Sequence, residues 1–266
     1  FRSRNFSVTN LSTLVIYGGL YVTFLFLPIF LQGTIGYTAA AVGLASIPSS
    51  VFLIFLSARF GALASRFGPR RFMAAGPAIM AAGVAWLARM PADSEPWLVR
   101  IGDPATLVPP RGYLVDVLPG MVLFGLGVAV MVAPLTTALM RSVPGRQAGL
   151  ASAINNAISR VGPQLAGAAI FVIITASFYG SLAARVPELD IGSPQVRHDI
   201  PPLNQPEPNV PAEQVVAARE ASTEAFHLAM LSCAGLFLAG GVINAIGISD
   251  RQARSGDQPE VPPTPA

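Results

Sequence analysis

G-A-L-A-S-R-F-G-P-R-R, residues 61–71, is a short basic stretch set between two long apolar ones, 39–60 and 72–90. At ~1.5 Å per residue each flank is long enough to cross ~30 Å of hydrocarbon. The stretch therefore reads as a turn joining two membrane helices on one side of a bilayer. Arg66, Arg70 and Arg71, with Arg59 just upstream, give it positive charge and no acid. Cytoplasmic loops carry that pattern under the positive-inside rule, so the turn is expected to face the cytoplasm.

Working outward, four more apolar stretches are long enough to span: 9–31, 114–140, 148–179 and 225–248. The composition agrees, with 52% hydrophobic residues, 12% charged and a mean hydropathy of +0.56. These values suit a polytopic membrane protein and exclude an ordinary soluble domain. The expected fold class is all-α, with six transmembrane helices. With the basic turn inside, Arg2, Arg4, Arg141, Arg146, Arg251 and Arg254 also fall inside. The outer segments, 91–112 and 181–224, hold most of the acids, from Asp93 and Glu95 to Glu220 and Glu224. Both termini are then cytoplasmic, and 249–266 is expected to be a disordered cytoplasmic tail. Tyr37, Trp97, Tyr113 and Tyr179 fall near the outer boundary, where interfacial aromatics belong. The net charge of +3 comes from arginines clustered at helix ends, which assigns them to topology and not to nucleic acid. One cysteine, Cys233, allows no disulfide framework and no cysteine-ligated metal site within the chain. Residue 1 is Phe and no signal peptide precedes the first span, so the chain is expected to have lost its beginning.

Polar residues within the spans are the candidate functional groups, because at membrane depth they normally face protein or a watered cavity. In the first span Asn10, Thr13, Tyr17, Tyr21 and Pro28 fall on one stripe at helical spacing. In the fifth, Ser152, Asn156, Ser159, Arg160, Pro163 and Gly167 share another, with Asn155 and Gln164 at its edges. The apolar run after Arg160 is itself about long enough to span, so an inner-interface and a cavity position for that arginine both stand open. In the fourth span Gly120, Phe124, Gly127, Met131, Pro134 and Ala138 make a face that can approach another backbone closely. His198 and His227 have no partner that suggests a metal or proton relay. Asp116, at the outer mouth of the fourth span, is the only carboxylate near a span, so a proton-coupling acid is expected outside this chain. Motifs of hydrolases, metalloproteases and P-loop enzymes are absent, which points away from catalysis.

The basic turn resembles the loop signature of the major facilitator superfamily, between the second and third helices of a half. The likeness extends to F-R-S-R-N-F at 1–6, Leu31-Gln32, Gly36-Tyr37, 41–48, L-P-G at 118–120 through Phe124 and Gly127 to Ala133-Pro134, and V-P-G-R-Q-A-G at 143–149 running into 151–156 and 160–162. Together these are similar to the second half of a fourteen-span drug:proton antiporter. Ser65 departs from the family, which usually has aspartate there.

The resemblance implies one six-helix half, a three-plus-three inverted repeat, of a transporter in a bacterial plasma membrane. Its partners would be the missing N-terminal half, the bilayer and a small amphipathic substrate, with a proton gradient and no cofactor as the energy source. The first and fourth helices would line a central cavity, and the second and fifth would pack on the other half. Asn10, Thr13, Tyr17, Tyr21, Met121 and Phe124 are the expected cavity residues, the two tyrosines with Met121 and Phe124 meeting apolar cations. Ser152, Asn155, Asn156, Arg160 and Gln164 form the polar seam of the fifth helix. Gly61, Arg66, Gly68, Arg70 and Arg71 take a conformational role, the glycines permitting a tight turn and the arginines holding the inner face against the other half. A transporter of another metabolite or siderophore, and a non-transporting six-helix subunit, remain as alternatives.

Overall fold

A computed structural model describes residues 3–249. The tail beyond, with Arg251 and Arg254, and Arg2 at the other end lie outside the described residues. Helices form over each of the six apolar stretches. They are α1 (Arg4–Phe30, continued by a π-helical turn Leu31–Ile35), α2 (Ala39–Ala45) leading at Ser46 into α3 (Ile47–Phe67), α4 (Pro69–Leu87), α5 (Leu118–Arg141), α6 (Ala148–Arg185) and, after a short outer α7 (Pro194–Asp199), α8 (Ala212–Gly247). Five helical segments are long and apolar enough to cross a membrane: Arg4–Ile35, Ala39–Phe67, Tyr113–Met140, Gly145–Arg185 and Ala212–Gly247. The protein is an all-α, multi-pass membrane protein. The sixth helix, α4, has 19 residues, ~28 Å at ~1.5 Å per residue, with Arg70 and Arg71 in its first turn. It is held between α5 and α8.

The helices pack in a pattern with an internal symmetry. α5 lies on α3 and α4; α1 lies on α6 and α8; α4 and α8 meet each other. Exchanging α1 with α5, α2–α3 with α6, and α4 with α8 returns this pattern; the exception is that α6 also lies along α8, where α3 and α4 barely touch. The exchanged helices sit three spans apart and so run in opposite directions, which makes the half a three-plus-three inverted repeat. The chain repeats itself in letters too. Gly43-Leu-Ala-Ser46 recurs as Gly149-Leu-Ala-Ser152 at the start of the equivalent helices. In both copies the glycine is exposed and the alanine buried. Three residues after each copy comes the polar bond that ties that helix to its neighbour. Ser49 Oγ donates to the Met121 carbonyl at 2.8 Å, and Asn155 Nδ2 donates to Asn10 Oδ1 and Thr13 Oγ1, both at 3.1 Å.

Small residues hold the seams together, because lipid offers little hydrophobic drive between helices and close packing has to supply the association. The glycine face of α5 meets the glycines of α4. A Cβ on Gly83 would stand 2.6 Å from the Phe124 nitrogen, and one on Gly127 2.6 Å from the Gly76 carbonyl oxygen. On the opposite seam a Cβ on Gly162 would overlap the Leu14 carbonyl of α1.

The basic turn is tighter than its sequence suggests. α3 continues to Phe67 and α4 starts at Pro69, so Gly68 alone lies between them. Its φ of +91° is one that a side chain would resist, and its N–H still bonds the Ala64 carbonyl at 2.9 Å. Gly61 and Arg66 are therefore helical, which corrects the expectation that Gly61 shapes the turn. The absence of a side chain at Gly61 lets α3 approach α5, since a Cβ there would lie 3.0 Å from that of Ala133.

The end of the bundle expected to face outward is capped. Residues 88–112 fold over it, with the Thr38 N–H on the Trp97 carbonyl at 3.2 Å, Trp97 Nε1 on the Thr106 carbonyl at 3.0 Å, and His227 Nε2 donating to the Met90 carbonyl at 2.7 Å. Tyr37, Trp97, Tyr113 and Tyr179 are all buried beneath this cover and beneath the loop after α6, so they are packing residues and not a lipid-facing belt. Burial, and then the Asp116 carboxylate, hold the Tyr37 phenol above its usual titration range. α6 and α8, at 38 and 36 residues, are ~57 and ~54 Å long against ~30 Å of hydrocarbon, and they overshoot on this side. Arg185 on α6 bridges Glu220 at 2.9 Å and Glu224 at 2.6 Å on α8, which pins the overshooting ends to one another.

Candidate functional site

Two arrangements of polar residues stand out. The first lies along the seam of α1 and α6. At its inner end Asn155 reaches Asn10 and Thr13, which in turn donate to the Phe6 and Thr9 carbonyls, both at 2.8 Å. Asn10 and Thr13 are buried and their bonding capacity is largely used within the helices. Such a satisfied network fixes register between two helices and leaves little to offer a ligand.

Further out on the same seam the helices part. A groove of about 380 Å³ opens between Tyr21 and Leu25 of α1 and Pro163, Gln164 and Gly167 of α6. Pro163 is interior to its helix, and Gly167 has nothing within 4 Å of where a Cβ would be. Tyr21 is 53% exposed, and its ring lies 6.3 Å from that of the half-buried Tyr17. Leading into the groove, Asn156, Arg160 and Gln164 follow one another at four-residue intervals and all are exposed, with Ser152 half-buried below them. Arg160 has no partner among the described residues. Two residues on, Gly162 packs against Leu14, which is ~15 Å along α1 from Arg4. The guanidinium sits on an open face of α6, within a segment long and apolar enough to span. Hydrocarbon cannot bond these groups, so this face meets water or another polar surface.

Met121 and Phe124 do not join that groove. Both are buried, Phe124 edge-on to Phe24 at 5.5 Å and tilted against Phe237 at 6.1 Å. Their expected role in meeting substrate is corrected to packing. The helical stripe to which Phe124 belongs is turned toward α4, and the glycines in it bring the two backbones together.

The second arrangement is a clamp at the inner end. The last carbonyls of a helix lack intrahelical donors and carry the negative end of its dipole. In α8 they are met by two guanidiniums, Arg70 Nε on the Ala245 carbonyl at 2.6 Å and Arg4 Nη2 on that of Ile246 at 3.1 Å. Asn5 pairs with the Ser249 backbone through both its amide atoms at 2.9 Å, and Asn244 Nδ2 reaches the Met73 carbonyl at 2.9 Å. Arg70 thus ties the turn to α8 of the same bundle, where the sequence suggested the other half. Arg66 lies over the Phe67 ring at 5.3 Å, and Arg71 is exposed. The roles of Arg4 and Asn5 were not foreseen; the signal would have been an Arg-Asn pair at one end of the chain and a polar Ser249 closing the last span at the other. Arg70→Ala is expected to cost about 1 kcal/mol of stability, read as a lowered thermal midpoint, whereas Arg71→Ala leaves it unmoved.

The sequence profile of the Major Facilitator Superfamily matches residues 9–187. Among curated proteins the chain is 32% identical over 167 residues to the puromycin resistance protein pur8 of Streptomyces alboniger, covering 62% of the chain and 30% of that protein. It is 27% identical over 198 residues to the multidrug resistance protein Stp of Mycobacterium tuberculosis, covering 74% and 33%. With the fatty acid resistance protein FarB of Neisseria gonorrhoeae it shares 28% over 156 residues, covering 59% and 27%. The chain spans about a third of the length of these relatives.

Proposed function

The chain belongs to the major facilitator superfamily, and from that membership we propose that it is the C-terminal six-helix half of a secondary transporter in a bacterial plasma membrane, with residues 249–266 as a cytoplasmic tail. Its substrate is a drug or other amphipathic compound, exported in exchange for protons that enter down their gradient as two halves rock about a central cavity. The observation that carries this reading is the open face of α6, where Asn156, Arg160 and Gln164 lead at membrane depth into a groove beside Tyr21. A face of that kind suits the wall of a watered cavity, where the resemblance alone set this fifth helix against the other half. Relatives whose names record resistance to puromycin and to several drugs support export as the direction. Asp116, at the outer end, accepts a 2.7 Å bond from Ser94, so the acid that couples proton entry belongs to the other half.

Tyr21 supplies an aromatic face and Gln164 a donor and an acceptor to the same groove. Replacing either with Ala in the full-length protein is expected to weaken export several-fold, on the order of 1 kcal/mol each, with expression unchanged. Drug accumulation in cells carrying each variant measures this, and wild-type export by both would sink the assignment of the groove. A second reading concerns the charge of the substrate. Arg160 faces the groove's approach without an acid beside it, which favours amphipathic acids over cations, and a relative is named for fatty acid resistance. Competition of a fatty acid against a cationic dye in the same cells separates the two.

A further inference from the structure

At the outer end, away from the groove and the inner clamp, a cleft of about 210 Å³ lies between the π-helical turn that ends α1 and the overshooting part of α8. Its polar lining comes from Thr34 on the turn, Asn204 and Gln205 on the outer loop, and Arg219 on α8. Two of these groups are stranded. The Thr34 hydroxyl oxygen and Arg219 Nε are both out of reach of solvent, and neither has a hydrogen-bond partner. Thr34 as a whole is only 9% exposed.

The stranded groups are not left over from a nearby ion pair. No acidic side chain lines the cleft. Glu220, next to Arg219 in the chain, is turned to Arg185 on α6. Asp199 is engaged by Gln195 and His198. The Asn204 amide already donates to the Pro202 carbonyl at 3.1 Å. The cleft is also built with care for its shape. Leu203, buried and at a φ of 60° that non-glycine residues seldom adopt, lays its carbonyl against Gly33, where any side chain would collide with it. A guanidinium partly removed from water with no counter-charge is unfavourable as it stands and is relieved by an anion that accepts from it. The π-turn widens the end of α1 at this point, a distortion that often accompanies function.

We infer that this cleft binds an oxyanion of phosphate type, which the Arg219 guanidinium and the Thr34 hydroxyl meet by turning toward the cleft they line, with the Gln205 amide at its rim. The cleft is built from the outer ends of two spanning segments, Arg4–Ile35 and Ala212–Gly247, and from the outer loop between α6 and α8, so the ligand is either the phosphodiester of an anionic lipid or free phosphate. This site is independent of the transport groove, and its test does not involve transport.

The experiment is thermal unfolding of the full-length protein, once in detergent with inorganic phosphate titrated against chloride at equal ionic strength, and once in nanodiscs of phosphatidylcholine with and without phosphatidylglycerol. The midpoint is expected to rise by roughly 5 °C at saturation. A response to inorganic phosphate assigns the free ion; a response to phosphatidylglycerol alone assigns the lipid. Arg219→Gln is expected to melt at or above the wild type without anion, since it removes an unpaired charge, and to lose the gain. Thr34→Val keeps the shape and the charge and retains only part of the gain, which leaves the inference open to test if the first variant misfolds. Arg100→Gln, an exposed outer-loop arginine, keeps all of it. No gain from either anion, or an equal gain in Arg219→Gln and Thr34→Val, overturns the site.

Discussion

Gly127→Val is expected to cost the protein its fold. The position sits where α5 crosses α4, and the first carbon of any side chain would stand 2.6 Å from the Gly76 carbonyl oxygen and equally close to the backbone nitrogen of Met80. Backbone cannot swing aside as a flexible side chain can. The two helices must separate along a seam that Gly76, Gly83, Gly120 and Gly127 keep narrow. α4 suffers twice, because it is the shortest of the six and is lodged between α5 and α8. Overpacking of this kind costs up to about 3 kcal/mol and occasionally more. With close contact as the main force between membrane helices, the upper end applies here. The measurement is the yield of monodisperse protein in detergent and its thermal midpoint. Gly43→Ala serves as the control, since nothing lies within 4 Å of its Cβ position. A Gly127→Val protein that melted with the wild type would show that the seam is looser than described.

The second large effect is on transport alone. Gly167 is a wall of the groove, not a point of helix contact, and a Cβ there meets open space. Gly167→Phe should fold as well as the parent or slightly better, because a helix interior prefers almost any residue to glycine. Its ring would fill much of the space beside Tyr21 and Gln164. Export is expected to fall at least about tenfold at an unchanged midpoint, the signature of lost binding without lost structure. Gly235→Phe on α8, also without near neighbours and not among the residues lining the groove, should export normally. Full export by the Gly167→Phe protein would move the substrate path to another face.

Much of this was legible in the letters. Six long apolar stretches, with most of the acids gathered in the two long segments between them, set the class and the number of helices, because the cost of exposing backbone to lipid leaves little freedom. The stripe through Gly120, Phe124 and Gly127 announced a close approach, though not to which helix; helical spacing gives a face and says nothing of what it faces. That is why Phe124 could be mistaken for a cavity residue. The end of α3 was misplaced for a similar reason. Ser65 and Arg66 are tolerated in a last helical turn as readily as in a loop, and only the backbone angle at Gly68 decides between them. The outer turns of α8, 212–225, read as helix-prone from their alanines and long polar residues, and the helix does start at Ala212; the extension of α6 past Tyr179 was hidden, because Gly180, Ser181 and the alanines after them neither forbid a helix nor mark a span. In the candidate site, Tyr21 and Gln164 were found by their polarity within apolar runs. Gly167, on the same predicted stripe, owes its importance to empty space, which no residue type encodes.

The repeated Gly-Leu-Ala-Ser segment has a wider implication. Because the two triplets of helices are the same part set in the membrane once each way up, the Ser49 bond to α5 and the Asn155 bond to α1 are twin latches facing opposite sides of the bilayer. In the proposed transport cycle one body then loosens toward one face of the membrane while holding firm at the other, and reverses the assignment by tilting. A duplicated segment thereby supplies directionality to a chain whose individual helices have none.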